Sequence, residues 1–582
     1  MKKLIKYAVA GTLVMVMNSC TDVLNYDPTD KISDADVWEQ RDLMEAYITR
    51  MYDSFPFMDY GWPHRHSMFV ADIATTNTGH ANMNALTTGG MTHANDQWGY
   101  WDYSYIRQLN VFLENFPDSP VDEAVKDRME GEIRTMRAAA YLKKQKRYGG
   151  VPLVDVVLNP FEEIDEQYLA RSTEEQIADF IDSELAAAIE LMDWDHNQSA
   201  TGAFNKAVAY AYKARANLWA ASIANFGTVD GVVGIPENRA DEFYQKAADA
   251  ANAIIDSGIY ALYDVSADRV ENFQNVFLED GHNELILEVI HDGLNKTNGQ
   301  NYQNVPPRAS AGGGGYGGPL LEYLLRFENV DGSDGDPEFG PDHLYDSAVE
   351  PWLNKDPRLH ATVLFNGQER WGFTIESWDG TDPSLVPDPN EIVDDPSVEF
   401  DGIPALGLEA RRHGWETNGR TGMYPLKYIH ETPLEADNRG DINWKEIRLA
   451  EMYLIVAEAE YELGNPGPAA DALNATRARA GISLVDAGSI TQERIRAERT
   501  NELAYEGFRW WDLRRWRTAQ DVLHNAEPRG LRPVRHHESG RYYFLPEPAE
   551  GFTRSFNSEH YYNPITDSRR ENQPQLVENP GY

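Results

Sequence analysis

Glu502 and Glu506 lie one helical turn apart in the densest block of charge and aromatic residues in the chain, Glu493 to Arg517 (ERIRAERTNELAYEGFRWWDLRRWR). Two carboxyls about 5 Å apart are what a retaining glycosidase uses, one as nucleophile and one as acid and base. The same stretch offers a different use. Arg499 stands three residues before Glu502 and Arg509 three after Glu506, a spacing that makes neighbours on a helix surface. A guanidinium keeps a carboxyl ionised, whereas a general acid needs its pKa raised. The block therefore reads as a structural charge network of Arg499, Glu502, Glu506 and Arg509, with no catalytic residue expected and glycoside hydrolysis as the alternative. The element that must hold them is a helix: Leu503, Trp510 and Leu513 share one face, and Thr491 is a plausible N-cap.

Other patterns with chemical potential resolve into loops. Ala311 to Pro319 (AGGGGYGGP) contains GxGxxG, but no strand leads into it and no helix with a following acidic residue leaves it, so a dinucleotide is not expected. Asn329 to Asp336 (NVDGSDGD) resembles a calcium loop, yet Asp334 occupies the position that requires glycine; a turn is expected and no cofactor, with a structural calcium as the alternative. His64, His66, His80 and His93 cluster in sequence without the HExxH spacing, so no metal site is expected. Trp62, Trp98, Tyr302, Tyr316, Trp352, Trp371 and Trp378 fall in loop-like sequence with polar neighbours. One such residue usually anchors a loop on the core. Several together can form a flat apolar platform with hydrogen-bonding partners, which suits sugar rings, and these seven are the candidate glycan-binding residues.

With 94 acidic against 52 basic residues, a net charge of -42, the chain repels nucleic acid and anionic membrane, while 42% hydrophobic residues indicate a folded body. Lys2, Lys3 and Lys6 precede an apolar stretch from Tyr7 to Met17, too short for an ordinary span, and then Asn18-Ser19-Cys20. Residues 1–19 read as a signal peptide and 20–33 as a tether. Cys20, the single cysteine, has no disulfide partner and is the expected lipid attachment point.

Helices must carry most of the remaining chain. Asp34 to Phe55 has one helical period, and three alanine-rich pairs follow: Glu132–Tyr148 with Thr173–Met192, Ala207–Phe226 with Phe243–Ser257, and Ile447–Leu463 with Pro468–Ala480. Small residues at close contacts and glycine at the stops suit stacked helical hairpins. The fold class is mostly α: a tetratricopeptide-like scaffold over 34–270 and 441–524. Residues 271–440 and 525–582 form a loop-rich part with brief strands such as Glu284–Ile290 and Ala361–Phe365.

Several segments in combination resemble the SusD/RagB family of outer-membrane lipoproteins of Bacteroidetes: CTDVLNYDPTDKIS from Cys20, WDYSYIRQLNVFLEN from Trp101, RAAAYLKKQKRYGGVPLV, ERTNELAYEGFRWWDLRRW and the closing QPQLVENPGY. The resemblance runs from Cys20 to Tyr582. It implies four tetratricopeptide-like units, a lipid anchor at the cell exterior, capture of oligosaccharide or polysaccharide, and a SusC-like TonB-dependent transporter that the protein covers as a lid. It also implies that Trp101 and Tyr105 are structural. Family binding sites vary too much to be transferred residue by residue, and peptide capture is the alternative within the family. The acidic balance favours a neutral glycan over a uronate or sulfated one.

Overall fold

The computed structural model describes residues 34–57, 69–76, 85–195, 202–299, 304–310, 314–315, 317–381, 392–393, 397–400, 402–410, 421–430 and 440–582. Its first helical segment is interrupted. The single helix expected over Asp34–Phe55 is α1 (Asp34–Glu39) and α2 (Arg41–Asp53), divided at Gln40, whose backbone is extended.

The scaffold continues with α3 (Ser104–Asn115), α4 (Glu123–Tyr148), α5 (Glu174–Leu191), α6 (Lys206–Phe226), α7 (Ala240–Asp256) and α8 (Arg269–Leu278). After a long excursion come α9 (Leu449–Glu462) and α10 (Pro466–Ala480). The three anticipated hairpins form as α4 on α5, α6 on α7, and α9 on α10; α5 also packs on α6, and α7 on α9, so the array runs on across the excursion. Alanine makes the close approach possible: Ala207, Ala211, Ala214 and Ala221 of α6 and Ala247, Ala248 and Ala251 of α7 are completely buried. Local signals set the starts. Thr173 and Gln176 form a capping box on α5, and the Asn205 side chain accepts from Val208 N at 3.1 Å on α6, caps worth about 1 kcal/mol each. The fold is tetratricopeptide-like and mostly helical, with small sheets.

The excursion is clamped at its root. β1 (Ala74–Thr76), β2 (Leu285–Val289), β3 (Gly317–Pro319), β4 (Asp379–Thr381), β5 (Ile392–Val393) and β6 (Trp444–Arg448) arise in that order. β2 and β6 pair antiparallel, with Leu285 opposite Arg448 and Val289 opposite Trp444, and all ten of their residues are buried. The chain thus leaves and re-enters the scaffold at one point, and β6 runs directly into α9. β3 is the end of the glycine run and pairs with β1. A Cβ on Gly317 would lie 2.1 Å from the Phe69 ring, and one on Gly318 2.1 Å from Thr421 Oγ1. Those glycines serve close packing of a strand.

The tail expected to be irregular over 525–582 holds a hairpin instead, β7 (Arg529–His536) with β8 (Tyr542–Pro548). β7 also pairs in parallel with β4, and β4 with β5, giving the order β8-β7-β4-β5. Proline in this stretch argues against strand. Pro533 is tolerated because β4 pairs only with Val534–His536, just beyond it.

Candidate functional site

The carboxylate pair sits where two helices meet. α11 (Gln492–Leu503) and α12 (Arg509–Arg515) replace the single helix expected over Glu493–Arg517, because Tyr505 (φ 63°) and Gly507 (φ 85°) adopt left-handed backbone between them. Thr491 caps α11 as expected, its hydroxyl accepting from Arg494 N at 3.2 Å. Glu506 falls in the connection, so helical spacing no longer relates it to Arg509. The four residues of the expected network do not pair with one another. Arg499 Nε donates to Asp512 at 3.0 Å, and Arg509 reaches Asp72 with two bonds of 2.7 Å.

Glu502 and Glu506 are instead the centre of a larger buried cluster whose partners come from remote segments. Arg448, at the β6–α9 junction, donates to Glu284 (2.9 Å), Glu502 (2.6 Å) and both oxygens of Glu506 (2.7 and 2.8 Å). Arg358, in the short helix Pro357–Thr362, bonds Asp356 (2.7 Å), Glu498 (2.5 Å) and Glu502 (2.9 Å). Arg479 of α10 joins Glu284 at 3.0 Å to Glu502. Lys427 Nζ donates to Glu506 (2.8 Å) and to the carbonyls of Glu502 (3.0 Å) and Ala504 (2.9 Å) at the helix end. Burial pushes the Lys427 ammonium down to about 8. Burial alone would push the Glu502 carboxyl up, but Arg479, Arg448 and Arg358 outweigh it and hold it well below the usual carboxylate range. Such a group does not suit general-acid chemistry.

The seven aromatic candidates separate. Trp62, Tyr302 and Tyr316 lie outside the described residues, as do Cys20, His64, His66 and His80. Trp352 is a correction: it is fully buried and stacked on Phe365 with ring centroids 5.3 Å apart, so it belongs to the core. Trp378 is 8% exposed and lies beneath the Arg535 guanidinium, 5.2 Å from its ring, which leaves little face for a ligand. Trp98 packs on Trp511 (5.2 Å) and Arg147 (5.0 Å) at the end of α4. Trp101 lies edge-on to Tyr148 at 5.0 Å and Tyr105 donates to Met51 O at 3.0 Å, both inside the helical body.

Trp371 differs. It and Gly372 are the two central residues of a tight hairpin between Glu369–Arg370 and Phe373–Thr374, with φ of 54° and 80°, the signs a type I′ turn requires. A bulky residue there carries about 1–2 kcal/mol of backbone strain. Its indole is half-buried against the cluster of Val305, Leu364, Ile375 and Ile429, with the Arg370 guanidinium 5.4 Å from the ring, and Nε1 donates to His430 O at 3.0 Å, which fixes the ring. Phe373 lies 6.1 Å away, itself under the Arg308 guanidinium at 3.9 Å. Arg308 donates to Glu409 and to Thr374 O, each at 2.7 Å, and burial pushes the Glu409 carboxyl up. The tip therefore combines an oriented aromatic face with charged and carbonyl groups. Arg308, Phe373 and Glu409 were not foreseen; the sequence signal was Trp-Gly between two short extended pairs.

Residues 283–582, just over half of the chain, match the model of the SusD family, and residues 25–218 match a second model described as starch-binding associating with outer membrane. The chain belongs to the SusD family. Among its relatives, SusD-like protein P38 of Formosa agariphila is 23% identical over 87% of this chain and 90% of its own length. A SusD-like protein from Bacteroides fragilis superposes with a TM-score of 0.74 at 22% identity, over 95% of this chain and all of the other. A SusD-like carbohydrate binding protein from the same organism gives 0.68 at 21% identity, over 93% of this chain and all of the other.

Proposed function

We propose that the protein is a lipoprotein anchored through Cys20 at the outer face of the outer membrane. There it captures a neutral oligosaccharide without cleaving it and passes it to a SusC-like TonB-dependent transporter. The observation that carries the binding step is Trp371, a strained and oriented indole at a hairpin tip beside Phe373, Arg308 and Glu409. Strain in an exposed turn persists where the surroundings enforce it, and such positions cluster at ligand contacts. A flat apolar face with polar groups around it recognises the CH face and hydroxyls of a sugar ring. Family membership and the likeness to a solved carbohydrate binding protein support the same reading. The buried, ion-paired Glu502 supports binding without hydrolysis.

The test is affinity electrophoresis of the purified protein in gels containing glucan, xylan or mannan, with release of reducing sugar measured in parallel. Retardation by one of these without turnover is expected. Turnover that disappears in Glu506→Gln would replace the reading by a hydrolase. Binding of peptide alone would keep the architecture and change the ligand. Co-purification with the outer-membrane transporter tests the hand-off, and its failure would remove that step.

A further inference from the structure

A cavity far from the Trp371 hairpin in sequence has a chemistry of its own. It lies among α4, α6, α9, α11 and α12 and is partly open to solvent. One wall is apolar: Leu142, Leu218, Trp219 and Ile455. The rest is charged, with Lys143, Lys146, Arg147, Arg215, Arg499 and Arg515 against Glu446, Glu451 and Asp512. In a chain of net charge -42, six cations against three carboxylates is a local reversal of sign.

The carboxylates are already engaged. Glu451 takes both ends of the Arg215 fork at 2.7 Å, and Glu446 also contacts Arg215, at 3.3 Å. Asp512 takes Arg499 Nε (3.0 Å) and Arg515 Nε (2.9 Å), while Arg515 also binds Glu458. Arg499 is the exception among these arginines. It is 3% exposed, its guanidinium lies 5.3 Å from the Phe508 ring, and its Nη1 has no hydrogen-bond partner among the described residues. A buried guanidinium donor without an acceptor is unfavourable, and an anion in the cavity would supply one. Also in the lining, the half-buried Lys146 ammonium lies 4.4 Å from the Trp511 ring and adds positive potential to the cavity.

We infer that this cavity is a binding site for a ring-bearing monocarboxylate, its carboxylate accepting from Arg499 Nη1 and its ring lying against Trp219 and the aliphatic wall. An aromatic wall beside a guanidinium selects a ring with one acidic group, and an inorganic anion would leave the apolar side unused. The site does not rest on the glycan reading above. Sugar acids and aromatic acids share the required chemistry.

The experiment titrates the full-length mature protein with glucuronate, benzoate and, as neutral counterpart, glucose, following tryptophan fluorescence and heat. Saturable binding of glucuronate identifies a sugar acid and of benzoate an aromatic acid, with glucose silent in either case. Lys146→Glu reverses one of the lining charges and should weaken the carboxylate by about tenfold or more, measured at a temperature where the variant's melting curve shows it folded. Arg499→Lys, which keeps the charge and removes the Nη donors, should weaken it as well where the variant folds. Binding should persist in Trp371→Ala, which separates this site from the loop platform. If neither acid binds saturably, or Lys146→Glu leaves the affinity unchanged, the inference is wrong.

Discussion

Arg509 donates two hydrogen bonds of 2.7 Å to the Asp72 carboxylate, joining segments 437 residues apart. Arg326 binds the same carboxylate, so one aspartate fastens α12 to both the N-terminal segment and the excursion. Burial works against the Asp72 charge, yet Arg509 and Arg326 together hold its carboxyl far below the usual range. The most charged block in the sequence is thereby a fastening between halves of the fold.

Glu502→Gln removes the charge that three arginines share. Breaking a buried ion pair leaves uncompensated charge and costs about 3–5 kcal/mol. The melting temperature should fall clearly, while oligosaccharide affinity of the folded protein stays within error. A fully stable variant that had lost binding would contradict the structural assignment.

Acid should unfold the protein through the same groups. Glu498, Glu502, Asp512 and Asp72 all have carboxyls held below their ordinary values: burial opposes this in each case, and the neighbouring arginines prevail. Unfolded carboxyls titrate near about 4, so the stabilisation is complete above about pH 5 and is lost as pH falls through the unfolded and then the folded values. Melting temperature measured from pH 7 to pH 3 should be flat at first and then drop steeply. In Glu502→Gln the drop should be shallower.

Gly507→Ala tests the break between α11 and α12. At φ 85° a Cβ is strained by about 1–2 kcal/mol, and the variant should unfold at lower denaturant concentration. If alanine stabilised the protein, a continuous helix through this point would be indicated.

Two tryptophans from the same set of candidates should behave differently. Trp352→Ala opens a hole in the core beside Phe365 and should cost about 3–5 kcal/mol with little effect on affinity. Trp371→Gly relieves the positive φ but removes a half-buried ring and its bond to His430 O, so it should cost clearly less stability than Trp352→Ala while losing the ring. Thermal melts of the two variants decide this.

What could be read beforehand follows from range. Alanine period, Thr173, Thr491 and the glycine stops act over one or two turns, and the helix pairs follow from them. The partners of Glu502 do not: Arg358, Arg448 and Arg479 come from three other segments, and nothing in the spacing around Glu502 points to them. Gly507 was a visible breaker, but charges three apart suggested continuity across it. The β7–β8 hairpin was obscured by Pro533 and Pro546, which local preference excludes and the free side of the strand permits. Trp352 and Trp371 have similar neighbours in sequence; burial alone tells them apart.

The most direct measurement is the affinity of Trp371→Ala for the neutral oligosaccharide that retards the wild-type protein, by titration calorimetry, at matched melting temperature. Removing a central aromatic contact should weaken binding by about tenfold or more without any hydrolysis in either protein. Unchanged affinity would contradict the placement of the binding face at this hairpin.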